Sequence, residues 1–521
     1  MPGTDESIKL VTERRHPRYD ALIDHWDFCE LSYRGGRGYM TSKNIFRYYK
    51  EGPKDYDDRL ARTHRANHTK RVVDTVNLHL FKQPVERDEQ LAPEELKRFW
   101  LDPAGNGKTS ISTFAKQMDQ WQSVYGRIYV LVDNTDFGVV SLKDAEQVSK
   151  PYAYIIHPQS MLDMAFDAHG EFLWALVVEC RREDRDPFTS NGREMHDIRL
   201  WMRDEWHLFL QRLDPHGNTY YERGPSGVNR LGVVPIVAIE SEEGDAYSAP
   251  AMIGDIVDMD RTIVNYGSVL DEIIYGQTFS QLAIPAAGVE AYTTGYNNSV
   301  VAARDRVFLF DNSDGNSAPF YISPDAGQAD LIIKAMSVLM RNIYSVTGTD
   351  NEANGQSQSK GKEYASGVVR EFDYGQIENL LLNKSRALEV AEEKIAKLVL
   401  KYAGITKTDD EIRQLIKYPN QFDVRGLESD LGVAKMLSDL EAPDELMRPQ
   451  LKIAAGKMLP RQTTDDKAKI ESAIDNWKSK GQHQRDTAEK NFEETKRQAD
   501  RAAATAATAA KNKSTPTRKA A

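Results

Sequence analysis

Four short stretches carry residue types that could do chemistry. GNGKTS at 105–110 has the lysine and hydroxyls of a phosphate-binding loop. That loop requires Gly-x-x-x-x-Gly-Lys-Ser/Thr directly after a strand, so that backbone amides can surround the phosphates. Counting back from Gly107, the first glycine position is Asp102, a carboxylate where phosphate must approach, and the preceding ELKRFWL reads as a helix. The sequence therefore predicts a loop in which Thr109 or Ser110 caps a helix running through Phe114, Met118 and Trp121. His64 and His68 are four apart and would share a helix face, but HRANH lacks the glutamate of HExxH and predicts a solvated face. HPQSMLD (157–163) compresses a histidine, a serine and an aspartate into one segment with no nucleophile elbow. Cys29 and Cys180 have none of the short spacing of a zinc site and read as buried thiols. No catalytic residue, cofactor or metal is assigned.

The elements around these residues fall into blocks. At 521 residues the chain is expected to fold as two to four domains. No run of eighteen apolar residues exists, and the N-terminal stretch is polar, so the reading is a chain made in a reducing cytoplasm with no membrane span. RANHTKRVVDTVNLHL (65–80) places Val72, Val73, Val76 and Leu80 at helical spacing, stopped by Pro84. From 124 to 240 short β-type runs alternate with turn residues: 124–133, 153–158, 172–181, 198–203, 205–213 and 233–240. They predict a mostly antiparallel sheet in an α+β domain.

Two long helices follow. One starts near Ser248 and Pro250; the other opens on Ser323–Pro324–Asp325 and stops at Gly348. Between them, 278–322 has β-like patches and many small polar residues. TDNEANGQSQSKGK (349–362) is a polar loop with almost nothing to bury, and a helix of about forty residues, roughly 60 Å, follows it. Its face is marked by Val368, Phe372, Leu380, Leu388, Ala391, Ile395 and Leu398, with Gly367 and Gly375 as points for a kink or close approach of another chain. QFDVRG (421–426) reads as a short strand, and the helical region beyond it ends on Trp477 as its last large anchor. Residues 501–521 carry five Lys or Arg and no acid, and read as a flexible, solubilising terminus.

The order of these parts resembles the portal (head–tail connector) proteins of tailed bacteriophages. The residues that carry the resemblance are NHTKRVVDTVNLHLFKQP (67–84), VYGRIYVLVD (124–133), YIIHPQSMLD (154–163), LGVVPIVAIE (231–240), SPDAGQADLIIKAMSVLMRNIYSVTG (323–348) and YASGVVREF (364–372). None is specific alone; six occur in the family's order. The resemblance implies an α+β portal fold with a helical stem, a β-containing clip, an α/β wing and a helical crown, assembled as a ring, usually of twelve subunits. It lays out as a wing at 1–249, stem helices at 250–276 and 324–348, a clip at 277–323, a tunnel loop at 349–362, a long helix and wing return at 363–426, a crown at 427–480 and a flexible tail at 481–521.

The implied role is a non-enzymatic conduit at one capsid vertex of the virion, through which double-stranded DNA is packaged and ejected. Implied partners are the terminase large subunit, then a head–tail adaptor, with the major capsid protein and scaffold, and no membrane. Candidate DNA contacts in the tunnel loop are Asn351, Asn354, Gln356, Gln358, Lys360 and Lys362. Lys334 and Arg341 are candidate stem contacts, with a salt bridge between subunits as the equal alternative, and Arg304 and Arg306 are candidate clip contacts. The net charge of −11 argues against tight DNA binding but suits a wall along which DNA slides. The alternatives are a nucleotide hydrolase resting on GNGKTS, or another connector component.

Overall fold

The computed structural model of the chain describes residues 5–49, 51–134, 150–182, 188, 192–278, 281–285, 308–310, 318, 320–322, 326–346, 367–420, 422, 427–440, 442–458, 464–477 and 480–513. The chain is a mixed α/β protein that divides into two compact units, Met1–Phe422 and Asp423–Ala521.

The first unit opens with helices α1 (Asp5–Thr12), α2 (Tyr19–Arg34), α3 (Pro53–Arg62) and α4 (His68–Leu80), then strand β1 (Glu86–Arg87), α5 (Glu94–Leu101) and α6 (Ile111–Tyr125). α4 starts three residues later than its apolar spacing suggests. The Asn67 side chain accepts a bond from Lys70 N (2.8 Å) and so fixes the cap there. Val72, Val73, Val76 and Leu80 form its buried face, as their spacing requires. Ser110 caps α6 by accepting from Thr113 N.

α6 runs on through Val124 and Tyr125, which the β-type composition had assigned to a strand; the turn into β2 (Arg127–Asn134) is made at Gly126, φ 82°. A side chain at Gly126 would collide with the carbonyl of Ala249, so glycine lets two chain segments cross here.

β2 is the centre of a three-stranded antiparallel sheet, between β3 (Pro151–Ile156) and β9 (Ile236–Glu240). Ile128 through Val132 are all buried, the continuous apolar run of a central strand covered on both faces. A separate five-stranded antiparallel meander holds β4 (Met161–Phe166), β5 (Phe172–Arg182), β6 (Glu194–Met202), β7 (Glu205–Leu213) and β8 (Thr219–Val228). The expected antiparallel pairing is thus present but split between two sheets, with β4 and β8 as strands the composition did not single out. Arg199 on β6 links them, facing Asp133 of β2 (3.2 Å) and Glu179 of β5 (2.9 Å). Burial raises the Glu179 carboxyl above its ordinary range.

Next come the long helix α7 (Ile256–Thr278), a small sheet of β10 (Gln281–Pro285), β11 (Phe308–Phe310) and β12 (Phe320–Ile322), and the helix α8 (Ala326–Val346). β10 lies between the other two, parallel to β11 and antiparallel to β12. α7 begins later than Ser248, because the Asp245 carboxylate accepts from the backbone of Tyr247 and Ser248 and holds that stretch as a turn. The unit closes with α9 (Gly367–Tyr402), α10 (Asp409–Leu415) and β13 (Ile416–Lys417), the last paired with β1.

α9 is fastened through polar groups. The ammonium of Lys384, fully buried, donates to Asp119 (3.0 Å), Gln122 (2.7 Å) and Ser123 (2.7 Å) of α6, which satisfies all three of its protons. Further along, buried Glu392 receives a two-pronged bond from Arg87 (2.6 and 2.8 Å) and another from the Tyr418 hydroxyl (2.6 Å). The buried apolar face includes Ile377 and Leu381 as well as Leu388, Ala391, Ile395 and Leu398. A side chain added at Gly375 would meet no atom of the same chain within 4 Å.

The second unit consists of α11 (Leu427–Asp439), α12 (Asp444–Met458), α13 (Thr464–Asp475) and α14 (Lys480–Lys513). Two expectations are corrected here. Trp477 is 42% exposed rather than a buried anchor, and residues 480–513 form a helix where the sequence reads as a tail. The physical reason for the second is composition: the stretch 502–510 is mostly alanine, the residue of highest helix propensity. Of QFDVRG, only Phe422 is among the described residues; it is buried and belongs to no strand.

Candidate functional site: a helix pair rooted in the N-terminal helices

α7 carries an unusual burial stripe. Ile256, Val257, Ile263 and Val264 are buried as expected, but so are Asp260, Asn265 and Ser268. A buried polar group must find partners or lose its hydration without return. Each of these three finds them in residues 44–69. Asn265 accepts from Phe46 N (2.9 Å) and donates to the Asn44 carbonyl (2.8 Å). Ser268 accepts from Arg59 Nη1 (2.8 Å). One oxygen of Asp260 takes the Arg65 guanidinium together with the Thr69 amide (3.2 Å) and hydroxyl (2.7 Å). Further along α7, where the helix is more exposed, Asp271 pairs with His64 (3.2 Å) and Glu272 with Arg62.

One eleven-residue stretch, from Arg59 to Thr69, therefore binds α7 along three turns. Arg59 is itself locked: buried, held by both oxygens of Glu51 (2.7 and 2.8 Å) and donating to the Phe46 carbonyl (2.6 Å). The hydrogen bonds from Arg59 hold the Glu51 carboxyl below its usual range.

Among its described residues, α8 is fully buried only in its last turn. Ile343 and Tyr344 are buried there, and the Tyr344 hydroxyl lies 2.9 Å from His68 Nδ1 of α4, with the two rings edge to face. Burial lowers the His68 pKa from its ordinary 6.5, against the opposing pull of Asp260. α8 also leans on α7, where Met336 lies close beside Gly267. The two histidines thus do not share a solvated helix face. His64 precedes α4 and pairs with Asp271, while His68 is partly buried against Tyr344.

The opposite face of α8 is open. Leu331 (69% exposed), Lys334, Val338 (51%), Arg341 and Ser345 are all exposed and follow one another at three–four spacing. Lys334 and Arg341 have no acidic partner among the described residues. Seven residues separate them, about 10.5 Å along the helix. Two unpaired cations beside apolar side chains can meet phosphate oxygens or a neighbouring protein surface, and cannot read a base sequence. Asn351, Asn354, Gln356, Gln358, Lys360, Lys362, Arg304 and Arg306 lie outside the described residues.

The remaining chemical candidates are engaged elsewhere. In GNGKTS the carboxylate of Asp102 accepts from the amides of Asn106 (3.2 Å) and Gly107 (2.8 Å), and the Asn106 side chain accepts from those of Lys108 (2.9 Å) and Thr109 (3.1 Å). The amides that would hold a phosphate are occupied from within, and the segment follows a helix, not a strand. In HPQSMLD, His157 faces the Tyr125 hydroxyl (3.3 Å) and Asp163 takes Arg14 (2.5 Å). Cys29 is buried and its thiol pushed up to about 12, whereas Cys180 is exposed, against the expectation of two buried thiols. Among the described residues there is no cluster suited to a metal ion and no helix long and apolar enough to cross a membrane.

No family model matches the chain, and no curated protein matches it. Among solved structures it is similar to a chain in the neck of an empty gene transfer agent (GTA) particle computed with C6 symmetry, at 10% identity over 78% of this chain and 93% of that one, TM-score 0.37. It is also similar to a chain in the virion of a native gene transfer agent particle, at 11% identity over 78% and 94%, TM-score 0.36.

Proposed function

We propose that this chain is a phage-type portal protein, a subunit of a ring that conducts double-stranded DNA through one vertex of a capsid. The observation that carries the reading is the asymmetry of the helix pair. α7 is fixed by a buried polar ladder, while α8 keeps an outer face of exposed apolar residues and two cations with no acidic partner among the described residues. A face of that kind is poorly suited to a lone chain and well suited to a closed ring, in which neighbouring copies cover the apolar part and the cations remain for phosphate. The net charge of −11 fits the same role, since a strongly basic channel would retain DNA instead of passing it.

In this reading α7 and α8 form the stem, and the β10–β12 sheet belongs to a clip that docks the terminase large subunit and later a head–tail adaptor. Capsid protein and scaffold surround the wing, and the ring has about twelve subunits. The stretch 349–362 is the tunnel loop. Lys360→Ala with Lys362→Ala is expected to change DNA packaging or retention with rings intact; unchanged packaging removes the loop contacts from the account. We read the chain as having no catalytic centre, because Asp102 stands where a nucleotide's phosphates would lie. Electron microscopy of the purified protein tests the whole reading. A closed ring with a central channel is expected. A monomer that turns over ATP, with turnover abolished by Lys108→Ala, would overturn it.

A further inference from the structure

α7 changes character at Ser268. Up to that residue the helix is buried at every turn; from 269 to 275 no residue of it is buried. The rungs that tie it to the preceding helices divide at the same place. Asp260 with Arg65, and Ser268 with Arg59, are each at most 3% exposed. The side chains of Asp271 and Glu272 are 42% and 33% exposed, and those of their partners His64 and Arg62 are 78% and 37% exposed. α8 repeats the division, since from 327 to 342 none of its residues is buried and Ile343 and Tyr344 are. The half of the helix pair away from its root is therefore held by contacts that water and salt reach. Few buried contacts mark the parts of a fold that open first.

The backbone of α7 is weakest at the same boundary. Gly267 and Ser268 are adjacent there, and Gly/Ser pairs are among the few places where helices kink. The Ser268 hydroxyl donates to the Asn265 carbonyl (2.7 Å), and the Asn265 side-chain amide donates to the Arg261 carbonyl (2.9 Å). Two side chains thus compete for helix acceptors on successive turns, a contact that loosens and bends helices. Burial, rung exposure and backbone chemistry all change within two residues.

We propose that Gly267–Ser268 is a hinge. The root of the helix pair stays fixed while its far half tilts, and the exposed pairs Arg62–Glu272 and His64–Asp271 are the latch that holds it in place. The device lies within one chain and does not depend on what the pair surrounds.

Pulsed electron paramagnetic resonance on the full-length protein tests it. Spin labels go on Leu78→Cys of α4 and Leu331→Cys of α8, both well exposed, in a Cys180→Ser background. Labelled chains are diluted with unlabelled ones, so that each distance lies within one chain. At about 0.1 M salt, where the Debye length is about 10 Å, a single distance is expected; at about 1 M, where it is about 3 Å, a second population should appear. Asp271→Asn with Glu272→Gln should show that population already at low salt. Gly267→Ala should suppress it, because alanine stiffens the helix and its β-carbon meets Met336 only at 3.7 Å. A control pair on Leu78→Cys and Tyr266→Cys, on the root side of the hinge, should keep one distance throughout. A single Leu78–Leu331 distance in the latch variant at every salt concentration, an equal response of the control pair, or a second population undiminished by Gly267→Ala would each overturn the proposal.

Discussion

α7 and α8 are neighbours of similar length, 23 and 21 residues, and are held in opposite ways. α7 buries an aspartate, an asparagine and a serine, and each is met by a group from residues 44–69. α8 buries little besides its last turn and leaves Lys334 and Arg341 exposed, without acidic partners among the described residues. Buried polar bonds are directional, and breaking one leaves its other half stranded. They therefore fix the position of α7 more tightly than apolar contact alone would. The exposed side of α8 carries no such constraint, so its residues are available for whatever the pair surrounds. The contrast separates residues that hold the site from residues that would use it.

That contrast can be broken at several points. Arg65→Ala strands the buried charge of Asp260 and should cost about 3–5 kcal/mol in urea unfolding of the full chain. A loss under about 1 kcal/mol would mean that the ladder is not what holds α7. Tyr344→Phe removes one bond at the root of α8 and should cost about 1 kcal/mol by the same assay. Acidification should also loosen that root. His68 titrates below 6.5 in the folded chain, so the unfolded chain takes up its proton first as the pH falls. The His68 contribution is complete above 6.5 and is lost on descent until the folded ring protonates. His68→Gln should flatten that part of the stability–pH curve, and an unchanged slope would contradict the assignment. The smallest expected stability effect is at the outer face. Lys334→Ala and Arg341→Ala should each move stability by less than about 0.5 kcal/mol, while lowering the salt-sensitive part of DNA association measured with assembled protein.

Much of this was readable in the chain itself. The three–four spacing of Ile253, Ile256, Val257, Ile263 and Val264 locates the first long helix, and Asp102 marks the broken phosphate loop before any coordinate is consulted. The ladder was not readable, because Arg59 and Arg65 meet partners 209 and 195 residues away. On sequence alone RLARTHRANH looks like a solvated basic face; only the fold brings Asp260, Asp271 and Glu272 opposite it. Lys384 is the same lesson in one residue. Lysine inside a long helix reads as surface, and its burial depends on three acceptors supplied by α6. The division of one expected sheet into two was likewise hidden, since alternation reports a strand's faces and not its neighbours.

The central claim is that the outer face of α8 looks into a channel. A cryo-EM map of the assembled protein, resolved to side chains, tests it directly. The account predicts a closed ring with Lys334 and Arg341 of every copy directed toward the lumen and free of carboxylates. A ring in which both are paired with acids of the adjacent copy, or particles that never close, would contradict it.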